Sequence, residues 1–214
     1  MSNEALVHHL ESCVERARLA PLSFGTVFGE LGRDGIVMTL LVMCLPFLQP
    51  ISLGPLASAG GLVLAGIGWQ LVRGRGELWL PAKVRDVALE SAGWERLLGV
   101  CRWLVGLFAK VTRTRMTRWT DGDRGHRTAG WFAIVGGLLL AIPFGGVPFN
   151  NMLPALIVVS AAIAVLERDG LMFAMAAFWV VATLAYFALI AWAFYYFGSE
   201  IKDWIAANLP SWLG

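Results

Sequence analysis

Asn150 and Asn151 stand side by side between Pro148 and Pro154, with apolar residues on either flank. A side-chain amide offers a donor and an acceptor together, and proline leaves neighbouring backbone groups without their helical partners. The pair could line a polar ligand pocket with Gln49 and Ser52, which occupy a second proline-rich stretch. It could equally cap the helix that follows. Arg33 and Arg168 adjoin apolar runs, and their guanidinium groups could grip the phosphate oxygens of an anionic headgroup in bidentate fashion. The plainer reading makes Glu167, Arg168 and Asp169 a solvated stop, paired with Arg33 or Asp34 at an interface.

Other chemistry finds little support. His8, His9 and His126 lie outside the apolar runs, at no spacing that suggests zinc or a catalytic pair, and read as exposed residues. Cys13, Cys44 and Cys101 are odd in number and scattered, which argues against a disulfide framework and a metal site. Ser23, Ser52, Ser58 and Ser160 lack the Gly-x-Ser-x-Gly setting of a nucleophile. Gly60, Gly61, Gly66 and Gly68 lack the strand and the Gly-Lys-Ser/Thr of a phosphate loop, so close helix packing is expected of them. No paired carboxylates or histidines fall within the apolar runs. Neither a catalytic residue, a metal nor a cofactor is expected, and an intramembrane enzyme is the weakest class.

The elements that must position these residues are apolar helices. The chain has 214 residues, of which 57% are apolar and 15% charged, and its mean hydropathy is +0.66. Soluble domains hold about 25% charged residues, so a soluble monomer is disfavoured. Crossing the hydrocarbon takes roughly 20 apolar residues. Leu53–Val72 and Leu171–Phe197 meet that length without a charge, whereas Ala129–Phe149 and Met152–Leu166 are divided by Pro143, Pro148 and Pro154. Ile36–Leu48 is shorter and runs into Pro46 and Pro50. Helix followed by proline bend and second helix describes a broken, re-entrant-like hairpin, whose freed backbone survives at membrane depth only against protein or water. Glu4–Arg18 and Trp94–Lys110 read as amphipathic interfacial helices. Trp192, Tyr195, Tyr196, Trp204 and Trp212 suit an aromatic belt.

Of the 17 Lys and Arg, 12 lie between Arg73 and Arg127, against 6 of the 15 acids. Between apolar blocks, such a segment reads as a cytoplasmic loop and not as a nucleic-acid surface. The halves share a plan: Pro46, Pro50 and Pro55 precede an apolar helix and Arg73, while Pro143, Pro148 and Pro154 precede another and Arg168. Arg33-Asp34-Gly35 is echoed by Arg168-Asp169-Gly170. The expected fold is all-α, a polytopic membrane protein with two repeated proline-broken hairpins and interfacial helices. Its expected parts are an amphipathic segment (1–30), a first hairpin (31–72), a basic middle (73–128), a second hairpin (129–170), a transmembrane helix (171–198) and an interfacial tail (199–214). The orientation of the two hairpins stays open, and the small-residue helix Ala57–Gly68 is compatible with a homodimer.

Pro148-Phe149-Asn150-Asn151-Met152-Leu153-Pro154-Ala155-Leu156, running on to Leu166-Glu167-Arg168-Asp169-Gly170, resembles the signature of the exopolysaccharide synthesis ExoD family. Cys44-Leu45-Pro46-Phe47-Leu48-Gln49-Pro50-Ile51, Trp79-Leu80-Pro81, and Phe24-Gly25 ahead of Leu31-Gly32 are similar to its N-terminal pattern. The first bend departs from it, with Pro50-Ile51-Ser52-Leu53-Gly54-Pro55 where a tighter Pro-x-Pro-Gly is expected. The resemblance implies a bacterial inner-membrane protein tied to surface-polysaccharide production, and supplies no catalytic residue. Two functions are compatible with it. One is a flippase-like carrier of an anionic envelope intermediate, such as a polyprenyl-phosphate lipid, held at the paired bends. The other is a non-catalytic accessory protein that scaffolds polysaccharide enzymes.

Overall fold

The computed structural model describes residues 22–23, 32–49, 53–76, 79, 88–89, 120, 122–143 and 147–208. The expected helices Glu4–Arg18 and Trp94–Lys110, with Pro50 and Ser52, lie outside them. Five helices carry the described fold: α1 (Gly32–Cys44), α2 (Pro55–Val72), α3 (Gly122–Ala141), α4 (Met152–Leu166) and α5 (Leu171–Asn208). A two-residue antiparallel strand pair accompanies them, with Leu22 opposite Leu89 and Ser23 opposite Ala88.

Proline and glycine set the helix boundaries. Pro46 lacks the N–H that would continue α1, which ends at Cys44 and tightens into a 3-10 turn over Leu45–Leu48. Gly54, at φ 55° and ψ −130°, turns the chain into α2, and Pro55 takes the first helical position, where no N–H is needed. Helix α2 closes when the N–H of Gly74 (φ 70°) bonds the Leu71 carbonyl and that of Arg75 bonds the Gln70 carbonyl. Helix α3 stops at Ala141, two residues short of Pro143. Pro154 sits in the first turn of α4, and the last turn repeats the α2 closure with Arg168 and Asp169 bonding Val165 and Ala164.

Helix α4 is the centre, buried continuously from Ile157 to Val165 and packed against α1, α3, α5 and the 3-10 turn. Helix α1 packs on both α2 and α4, while α3 packs on α4 and most closely on α2. Glycine makes that last contact. A Cβ on Gly68 would come within 2.7 Å of the Gly130 carbonyl oxygen, and one on Gly130 equally close to that of Gly68. Gly137 and Gly61 stand in the same relation one heptad along, so the two backbones run antiparallel with no side chain between them. The glycine packing expected of α2 thus holds at Gly61 and Gly68. That face, whose small residues suggested a homodimer, is used within the chain.

Helices α2 and α5 are long and apolar enough to cross a membrane, α5 over Leu171–Gly198, whereas α4 is a shorter apolar helix of 15 residues. At about 1.5 Å per residue α3 is roughly 30 Å long, which separates the fold into two distinct ends.

Candidate functional site

The charged end gathers the start of α1, the close of α2 and the start of α3. Both starting helices begin with glycine at positive φ, Gly32 at 58° and Gly122 at 62°. Each then carries a charged pair and a buried glycine: Gly-Arg-Asp-Gly at 32–35 and Gly-Asp-Arg-Gly at 122–125. The Arg33 guanidinium pairs through Nη1 with the Asp123 carboxylate, and its Nη2 donates to the Gly74 carbonyl at 2.9 Å. One side chain thereby ties α1 to α2 and α3, so Arg33 is engaged within the protein. Beside it, Asp34 Oδ1 lies 2.9 Å from His126 Nε2, and His126 Nδ1 lies 2.9 Å from the Gly122 carbonyl.

These two groups precede the apolar stretches of their helices, which start at Ile36 and Ala129. The hydrogen bond to His126 holds the Asp34 carboxyl below its ordinary range, against the opposing effect of burial. The same bond raises His126 above its ordinary value, with burial again opposing. The reading of His126 as an exposed residue is corrected: it is partly buried and bonded across 92 positions. The signal for it was the mirrored Gly-Arg-Asp-Gly and Gly-Asp-Arg-Gly, which the comparison of residues 33–35 with 168–170 overlooks.

Three further features mark this end. Arg73 stacks over Trp69 at 5.0 Å. Buried Gln70 grips Trp79 twice, its Nε2 donating to the Trp79 carbonyl at 2.9 Å and its Oε1 accepting from the Trp79 N–H at 2.7 Å. Arg168 is exposed and holds φ 51°, a left-handed position that Gly74 occupies just beyond α2. The adjoining Asp169 is fully buried, and its Oδ1 accepts from the Leu171 N–H at 3.0 Å at the start of α5.

The opposite end holds the bends. Gln49 is exposed, directly after the 3-10 turn. Phe47 points inward, its ring filling the space a Cβ on Gly60 would need. Pro46, Pro143 and Pro148 are exposed and Phe149 adopts φ 61°. Asn150 and Asn151 are buried, 5% and 2% exposed. Asn151 occupies the cap position of α4 but makes no side-chain capping bond, so the capping role expected as the plainer reading is not the one it plays. The Tyr186 hydroxyl donates to the Pro148 carbonyl and ties α5 to the bend. Residues 45–55 and 141–154 contain no carboxylate, histidine, lysine or arginine. This end offers amides for hydrogen bonding and no acid–base pair.

The six candidate ligand residues therefore divide. Arg33 and Arg168 belong to one end, and Gln49, Asn150 and Asn151 to the other, with the length of α3 between them, while Ser52 lies outside the described residues. Among the described residues no cluster of His, Cys, Asp or Glu could hold a metal ion.

The family described as "Exopolysaccharide synthesis, ExoD" matches residues 6–189. The chain is 27% identical over 209 residues to Protein ExoD of Rhizobium meliloti (strain 1021), covering 96% of this chain and 85% of that one. No solved structure matches it. With the family match running through α1 to α4 and most of the apolar part of α5, the chain belongs to the exopolysaccharide synthesis family ExoD.

Proposed function

We propose that this protein is a multi-pass inner-membrane carrier of an anionic intermediate of exopolysaccharide synthesis, a polyprenyl-phosphate lipid or a ligand of like chemistry. The observation that carries the reading is the burial of two adjacent amides, Asn150 and Asn151, at the head of the central helix. The 3-10 turn of the first hairpin packs against that same helix. Each amide carries both donors and an acceptor, and polar side chains set in apolar surroundings mark functional positions. The two-part reading pairs α1 with α2 and α3 with α4, and what supports it is the packing between the parts, α2 on α3 and α1 on α4. Both hairpins start at the charged end, which suits a basic middle held in the cytoplasm and hairpins related by an axis along the membrane normal.

The test is movement of labelled polyprenyl phosphate between leaflets of proteoliposomes containing the full chain. The carrier reading expects transfer above that of protein-free vesicles, lost in Asn150→Ala and Asn151→Ala variants that insert normally. Transfer no faster than in protein-free vesicles would refute it. A scaffold role is favoured instead by the exposed apolar side chains of α5, among them Phe178, Val181, Trp192, Phe194 and Tyr195. A partner enzyme retained by the wild type and lost when those side chains are changed would support it.

A further inference from the structure

We infer that His126 is a proton-binding site that joins the two hairpins at their charged end, closed when its ring is doubly protonated and loosened when it is not. The inference rests on the fold and is independent of any transport activity. Both ring nitrogens face acceptors: Nδ1 the Gly122 carbonyl and Nε2 the Asp34 carboxylate, each at 2.9 Å. A neutral imidazole carries one N–H and can satisfy only one of them. The imidazolium donates to both, so this geometry selects the protonated ring. When the proton leaves, one nitrogen lone pair must face an oxygen lone pair, and the ring must release one of the two contacts.

The charged groups acting on the ring are Asp34, which favours the proton, and Arg33, which opposes it, both from α1. Helices α2, α4 and α5 also pack against α3, and among the described residues none of their charged groups acts on it. Asp34 prevails because it is in direct contact, while the Arg33 charge is directed to Asp123 and the Gly74 carbonyl. The balance keeps His126 protonated above its ordinary value of 6.5. Its side chain keeps 14% exposure, so the proton exchanges with solvent and not through the core.

The sign follows from linkage. His126 has its affinity raised in the fold, so its contribution is complete below 6.5 and disappears as pH climbs through the raised value. Asp34 has its value lowered, so its contribution is complete above 3.8 and disappears as pH falls through the lowered value. The joint is strongest between 3.8 and 6.5 and weakens on the alkaline side.

The direct test is an NMR titration of the imidazole nitrogens in the full-length protein, with the His126 signals assigned by their loss in His126→Gln. The expected result is a His126 midpoint above 6.5 that drops in Asp34→Asn, and a wild-type thermal midpoint that declines past that pH while that of His126→Gln does not. A wild-type His126 midpoint at or below 6.5 overturns the inference, as does a midpoint indifferent to Asp34→Asn. Should Asp34→Asn not fold, the wild-type titration decides alone.

Discussion

The two ends of the bundle use polar residues in opposite ways. At the charged end, Arg33, Asp34, Asp123 and His126 join helices that are far apart in sequence. At the bend end, Asn150 and Asn151 are buried among apolar helices without charge, and Asn151 leaves the capping bond of its position unmade. Ion pairs near an interface hold helix termini in place and contribute little each. Burying an amide costs desolvation that its hydrogen bonds must offset. The contrast gives the first end a fastening role, and the proposed function would place ligand handling at the second. Each end also holds one non-glycine residue in a left-handed conformation, Arg168 at φ 51° and Phe149 at φ 61°.

The strongest way to break this division is to part α2 from α3 between the ends. Gly137→Leu would drive a side chain into the Gly61 carbonyl and Ala65 backbone, with an expected loss of about 3 kcal/mol. Gly66→Leu, which faces open space, should cost almost nothing. Denaturant unfolding in detergent compares the two. Next comes Arg33→Ala, expected to lower stability by about 1 kcal/mol, since it removes a carbonyl hydrogen bond and a largely solvated ion pair. Polysaccharide output at equal protein level should survive it. The smallest effects come from relieving backbone strain. Arg168→Gly and Phe149→Gly should each raise the unfolding free energy by about 0.5 kcal/mol, the strain relieved being partly offset by the flexibility of unfolded glycine. A fall in polysaccharide output with Arg168→Gly, at raised stability, would move the working site to the charged end.

Proline and length made most of the helix plan legible. Pro46, Pro55 and Pro154 mark where backbone donors are missing, and helices α2, α4 and α5 begin within two residues of their expected starts. The continuation of α5 to Asn208 was not legible, because charged residues after Gly198 read as a boundary although they are compatible with helix. The amides at 150 and 151 stood out as polar residues in apolar surroundings. Tertiary pairings were harder to see. Nothing local in the sequence around Arg33 says that Asp123, 90 residues away, will neutralise it, and a histidine next to charged residues looks solvated until its partner helix is placed. Which helix ends lie together was likewise undetermined by hydropathy, and the contacts of Arg33 with the close of α2 and the start of α3 are what bring them to one end.

The most direct measurement is exopolysaccharide output, normalised to membrane-inserted protein, in a strain deleted for this protein and complemented with either Asn150→Ala/Asn151→Ala or Arg33→Ala. The account predicts output at the level of the deletion for the asparagine double variant and near wild type for the arginine variant. Wild-type output from the double variant, with output lost in Arg33→Ala, would contradict it.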